Sequence, residues 1–224
     1  TASGYHAFTQ GYLVGEVVRR ITGQSIGTFF SVEIARPLGA DFHIGLADVD
    51  HSRVANVIPP PKVPSTLDPS SIAMRTMSNP PPSAEQSWDP RWRRAEIPAA
   101  GGHGNARSVA MVQSVLACGG EVGGVRLLTA EGCEAALREQ SNSTDLVIGI
   151  PMRFGLGYGL PDAGAMGPNP RMCYWGGWGG SLVVVDLDAH LVVAYVMNKM
   201  QQGTVGDERG QSMVSATYAA LARS

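Results

Sequence analysis

Lysine is nearly missing from this sequence. Lys62 and Lys199 are the two lysines among 17 cationic side chains, and arginine supplies the rest. A lysine base, which needs a tunable ammonium rather than a guanidinium, therefore has two candidate positions. Cysteine is scarce as well. Cys118, Cys133 and Cys173 are an odd set without Cys-x-x-Cys spacing, which argues against a disulfide framework and reads as reduced thiols. This points to a reducing compartment, the cytoplasm, with secretion or a periplasmic location left open. No run approaches the roughly 18 apolar residues of a membrane span, so no span is expected. Charge of one sign is also lacking: the net charge is -2, against the clustered positive charge that nucleic acid or an anionic membrane would require. The five histidines, His6, His43, His51, His103 and His190, show no metal-ligand spacing, and neither a metal nor a cofactor is expected. HExxH, Walker and GxSxG motifs are absent. Gly155, Gly157 and Gly159 have no following helix, which defeats a dinucleotide reading.

What is present is a chain of 224 residues, 44% hydrophobic, enough for a substantial core. A first helix is predicted over 8–22, with Leu13, Val14, Val17, Val18 and Ile21 on one face and Gly23 as its stop. A second starts behind Ser25 and should end before Pro37, because a residue preceding proline is pushed out of helical geometry. From 48 to 98 the composition shifts to proline ("IPPPKVP", "NPPPSAE"), and the stretch reads as a long irregular excursion with one short helix around 69–77. Such loops are commonly functional walls or lids, or else disordered. Trp88 and Trp92 lie in it, as candidate pocket residues or as pegs that hold the loop down. Helices are predicted over 108–117 and from Thr129 to about Gln140. Past Asp145 the pattern turns strand-like: "MRFGLGYGL", "RMCYWGG", "SLVVVDL" and "HLVVAYVMN". The last two form a hairpin through a tight turn at Asp186 to Ala189. Their unbroken apolar runs imply burial on both faces, one cover being a helix over about 207–222.

Two stretches stand out. One is Gly4-Tyr5-His6-Ala7, a polar aromatic and an imidazole at a helix mouth. The other is "YWGGWGGSLVVVD", in which Gly176 and Gly177 interrupt an apolar strand between Trp175 and Trp178. Glycine weakens a strand, and marks either a bulge or the close approach of a ligand or another backbone.

Taken together, "GYHAFTQGYLVGEVVRRITGQSIGTFFSVEIARPLGADFHIGL", then "GGHGNARSVA", the W-G-G strand, the hairpin and the last helix resemble the C-terminal part of the serine β-lactamase and penicillin-binding-protein superfamily. The likeness is to its esterase branch, family VIII carboxylesterases, which are similar to class C β-lactamases. The resemblance implies an α+β fold, β-lactamase/transpeptidase-like, with an antiparallel sheet flanked by helices plus a mainly helical region. Residues 1–144 would be the helical region and 145–224 the strands and terminal helix of the α/β domain. It also implies a serine hydrolase acting on esters through an acyl-enzyme. Catalysis in the family uses a Ser-x-x-Lys, a Tyr-x-Asn-like triplet and a Lys-Thr-Gly-like strand that esterases often replace with Trp-Gly-Gly. Carried over, Tyr5 takes the catalytic tyrosine position and Trp175, Gly176 and Gly177 the strand triplet, with the N–H of Trp178 as an oxyanion donor. His6 is a candidate pocket residue or a structural one.

Three departures shape the expectation. Ala7 stands where β-lactamases carry an amide, and Trp175 where they carry a cation; both favour uncharged small-molecule esters. No Ser-x-x-Lys exists here, since Pro59 stands three residues before Lys62 and Val196 three before Lys199. With an opening "TASGYHAF" that has no Met, the chain reads as a partial one, inactive alone. Its partner would be a missing N-terminal segment of the same enzyme that bears the nucleophile. β-Lactamase, amidase or peptidase, and acyltransferase activity stay open as alternatives, as does a catalytically inactive binding module.

Overall fold

A computed structural model describes residues 2–63 and 65–223. The opening loop leads into α1 (Gln10–Thr22), which stops at Gly23. There a φ of 73° lets the Gly23 N–H close on the Arg19 carbonyl, a turn that a Cβ would strain. α1 packs inward through glycines. A Cβ at Gly11 would crowd the Pro98–Ala99 backbone, and one at Gly15 would press on Ile26.

α2 (Ile26–Phe29) begins under Ser25, whose hydroxyl accepts from the Thr28 N–H. It passes into a π-helical turn (Phe30–Ala35) and on into α3 (Arg36–Leu38). The expected end before Pro37 is therefore corrected. The Arg36 N–H reaches back to the Ser31 carbonyl, so the ladder is already displaced where Pro37 lacks its donor, and Arg36 keeps helical angles of -65° and -47°.

β1 (Phe42–Ile44) pairs with β2 (Gly102–Gly104) and closes the excursion between them. That excursion has more order than its prolines suggest: 3₁₀ turns at Asp48–Arg53 and Ala84–Trp88, α4 (Ile72–Met77) and α5 (Pro90–Arg94). Buried Arg93 ties it together through the carbonyls of Ser87 and His51 and through Asn56 Oδ1 at 2.6 Å. One such residue satisfies backbone acceptors that no ladder reaches.

α6 (Ala106–Ala117) starts at Asn105, whose side chain accepts from the Ser108 N–H. After the β3 (Glu121–Val122) and β4 (Val125–Arg126) hairpin comes α7 (Ala130–Ala136). It ends before the expected Gln140 because the chain is already entering a sheet, with the Gln140 N–H donating to the Phe154 carbonyl at 2.7 Å. The sheet runs antiparallel from β5 (Ser141–Thr144) to β6 (Pro151–Phe154), through bridges at Gly159, to β7 (Met172–Gly176), β8 (Leu182–Asp186) and β9 (Leu191–Tyr195). The β5–β6 hairpin straddles residue 145. Both faces of β7 and β8 are covered, which accounts for their continuous apolar runs. Cys173 and Val185 pack with Leu116 of α6 and Cys133 of α7; Met172 and Val184 pack on the opposite face with Val214 of α8 (Glu208–Leu221). At the β8–β9 turn the Asp186 carboxylate accepts from the N–H groups of Asp188 and Ala189 and from Tyr218.

Candidate active site

Tyr5 comes from a loop with no regular structure, so tertiary contacts must fix it. Its ring lies on that of Trp175, with centroids 5.4 Å apart, and Trp175 in turn meets Phe154 at 5.5 Å. Offset or tilted ring pairs at this spacing are favourable beyond the area they bury. The first and last thirds of the chain thus meet at the end of β7. Gly159 bridges the edge of β7 opposite β8 at Tyr174, and past Tyr174 no strand among the described residues pairs with that edge.

Below Tyr5 lies a buried carboxylate. Asp145 accepts from the Tyr5 N–H at 3.0 Å and from the Ser3 hydroxyl at 3.1 Å, besides Val147 and Ile148 of its own loop. Burial pushes the Asp145 carboxyl up, but these donors together hold it below its ordinary value. The Tyr5 phenol is raised, first by burial, with Trp175 as a hydrogen-bonding neighbour opposing and the Asp145 charge adding. It is therefore protonated at neutral pH. Lys62 and Lys199 are exposed, and neither is among the groups that move the phenol.

The turn after β7 is clamped. Gly177 donates to Ser181, Gly179 to Gly203 and Gly180 to Gly177, while the Gly179 carbonyl accepts from Gln201. Arg209 reaches the same carbonyl at 2.9 Å and the Lys199 carbonyl at 2.9 Å, held by Asp207 and lying over the Tyr195 ring. In this set of bonds the Trp178 N–H has no partner among the described residues. A rigid turn that leaves one N–H unspent is a ready donor to an anion.

The sequence profile of the Beta-lactamase family matches residues 1–217. The chain belongs to that family. The esterase/beta-lactamase LipL of Mycobacterium tuberculosis is 31% identical over 213 residues, which cover 88% of this chain and 48% of that protein. A crystallised family VIII carboxylesterase is 39% identical with a TM-score of 0.90, over 98% of this chain and 58% of that one. A penicillin-binding protein homolog from Caulobacter crescentus is 36% identical with a TM-score of 0.88, over 98% and 59%. These relatives place the chain in the serine β-lactamase and penicillin-binding-protein superfamily, on its esterase branch, with the β-lactamase/transpeptidase-like fold. The chain spans about half the length (48%) of the curated relative it matches.

The remaining candidates of this β-lactamase-family chain are spread more widely. His6 is exposed and hydrogen-bonds Thr9 at the start of α1. Trp88 donates its indole N–H to the Val57 carbonyl at 3.0 Å, which pegs the excursion. Trp92 is half-buried, and neither tryptophan makes a ring contact with Tyr5 or Trp175. The excursion does approach the β7 turn: Ile58 pairs with the 198–200 stretch, whose neighbour Gln201 holds Gly179. The two glycines differ. A Cβ on Gly176 would overlap the backbone of Val205 and Gly206, so that glycine admits the protein's own chain. Before Gly177 the space is open for 4 Å. Sequence reading missed Asp145 and Arg209. Asp145 carried a faint signal, an Asp before a turn, whereas Arg209 carried none because the Gly179 carbonyl it holds lies 30 positions away. Among the described residues no three His, Cys, Asp or Glu groups converge on a metal position, and no helix is long and apolar enough to cross a membrane.

Proposed function

We propose that this chain supplies one half of a serine esterase site: the phenol of Tyr5, the edge of β7 at Trp175, Gly176 and Gly177, and the N–H of Trp178. The other half, a Ser-x-x-Lys, belongs to a segment of the same enzyme outside these 224 residues. The observation that carries the reading is the 5.4 Å contact of Tyr5 with Trp175 beside an open strand edge and an unspent N–H.

In this reading the serine hydroxyl attacks the ester carbonyl, its proton passes through the lysine and Tyr5 pair, and the Trp178 N–H donates to the developing oxyanion. The same proton then goes to the departing alkoxide, which leaves as an alcohol. Water repeats the sequence on the acyl-enzyme and releases the acid. A raised phenol is a poor base until a cation stands beside it, and the lysine of the missing segment is that cation. Trp175 brings no positive charge to the β7 edge, which favours an uncharged ester over a substrate with a carboxylate. The apolar face of α1 supports the partner: Leu13, Val17 and Ile21 are 61%, 56% and 78% exposed.

The test uses the protein carrying both segments. Tyr5→Phe should lower turnover of a nitrophenyl ester by about 10²–10⁴-fold, with the melting temperature unchanged and labelling by a fluorophosphonate greatly slowed. A rate near wild type removes Tyr5 from the mechanism.

A further inference from the structure

A loop without a ladder has to be told where to lie. Residues 2–9, which carry Tyr5, are held on the sheet side by two anchors: the ring contact with Trp175 and the carboxylate of Asp145. Asp145 is fully buried, and its bonds divide evenly. Val147 N–H at 2.8 Å and Ile148 N–H at 2.9 Å close its own hairpin loop. Tyr5 N–H at 3.0 Å and Ser3 Oγ at 3.1 Å belong to the opening loop, which also accepts from Leu146 through the Ser3 carbonyl at 2.9 Å.

The local turn does not require this arrangement. An Asp, Asn or Ser side chain can cap the backbone two or three residues ahead while standing in solvent. Burying an ionised carboxylate opposes its charge, and here four donors offset that cost, three N–H groups on Oδ1 and the Ser3 hydroxyl on Oδ2. The opening loop therefore completes the coordination of a buried anion, and the anion in return fixes the backbone of Tyr5. With the N–H of Tyr5 bound there, its ring is directed onto Trp175.

We propose that Asp145 is the positioning residue of Tyr5, holding its backbone on the β5–β6 hairpin so that the phenol is presented at the β7 edge. The inference rests on the reading of Tyr5 as the proton-transferring phenol. A positional role predicts a loss confined to kcat, because a phenol misplaced by an ångström still allows the ester to bind.

The substitutions separate the functions of the carboxylate. Asp145→Asn keeps the geometry: its Oδ1 can accept the three N–H groups and its amide can donate to Ser3 Oγ. Asp145→Ser keeps a hydroxyl for the local turn but is too short to reach Tyr5. In the protein carrying both segments, D145S should lower kcat for a nitrophenyl ester by about 10–100-fold with KM changed by less than about twofold, and D145N should restore kcat to within about threefold of wild type. In a Tyr5→Phe background D145S should have no further effect, because Asp145 acts through the phenol that is already gone. Equal kcat for D145S and wild type, or the same loss with and without the Tyr5 hydroxyl, overturns the proposal. A Tyr5→Phe enzyme with wild-type kcat overturns the reading beneath it instead. If D145S does not fold, Ser3→Ala removes one bond of the same anchor; a kcat lowered by about 3–10-fold that D145N does not share supports the assignment, and an unchanged one opposes it.

Discussion

α1 and α8 are amphipathic helices of nearly equal length, 13 and 14 residues, and they differ in what covers them. α8 docks through Gly210 and buries Val214 to 5% exposure against Leu182 and Val193, with Tyr218 reaching Asp186. α1 docks through Gly11 and Gly15, with Val18 half-buried, and turns Leu13, Val14, Val17 and Ile21 outward. One apolar stripe is covered within this chain and the other is exposed. The difference leaves an exposed apolar stripe on the helix that follows Tyr5, beside the site, while β7 and β8 are covered on both faces.

The most damaging way to probe that contrast is a charge in each stripe. Val214→Asp should cost about 3–5 kcal/mol, because it leaves an unpaired carboxylate in a closed core. Val17→Asp should change the stability of this chain by no more than about 0.5 kcal/mol, as surface substitutions do. In the protein carrying both segments the Val17 cost should rise toward that of Val214. Urea unfolding of this chain and its two variants, and of the two-segment protein with and without Val17→Asp, measures all of this. A Val17→Asp penalty that stays small when both segments are present would show that nothing covers α1.

A second contrast lies within one dipeptide. Gly176→Val must displace the Val205–Gly206 backbone and should lower stability by about 1–3 kcal/mol. Gly177→Val meets open space, so it should fold like wild type yet block an ester from the β7 edge. Melting curves paired with nitrophenyl-ester turnover separate the two. An active Gly177→Val enzyme would mean the edge is not the substrate wall, and an undisturbed Gly176→Val fold would mean that the 203–206 stretch yields easily.

What could be read from the residues follows from the range of the interactions. The terminal helix, the hairpin at Asp186 and the helix stop at Gly23 are local or periodic, and they were legible. The outward face of α1 was not, because periodicity reports that a stripe is apolar and not whether anything covers it. Pro37 misled because a π turn, which shifts the ladder ahead of the proline, leaves no local mark. At the site, Tyr5 and Trp175 were each conspicuous, although the contact between them spans 170 positions of sequence. Asp145 and Arg209 act on backbone groups far along the chain, and a side chain's long-range hydrogen bonds have no pattern to read.

The smallest effect concerns pH, and it sets the opening loop against α8 once more. Asp145 has a folded value below its ordinary 3.8. Its contribution is therefore present above pH about 4 and is lost as pH falls through the lower folded value, when the protonated carboxyl releases Tyr5 and Ser3. Tyr218 behaves oppositely. Burial first, then its hydrogen bond to the Asp186 carboxylate and the charge there, raise the phenol above its ordinary 10.0. Its contribution is present below pH about 10 and is lost as pH climbs through the folded value, which frees the end of α8. Both losses should be smaller than the penalty of Val214→Asp. The expected outcome is a melting temperature that these two groups leave flat between pH about 5 and 9. Amide exchange should rise in residues 3–7 on the acid side and in the last turn of α8 on the alkaline side. Exchange that rises at both places under the same condition would show that the two anchors are coupled through the sheet rather than independent.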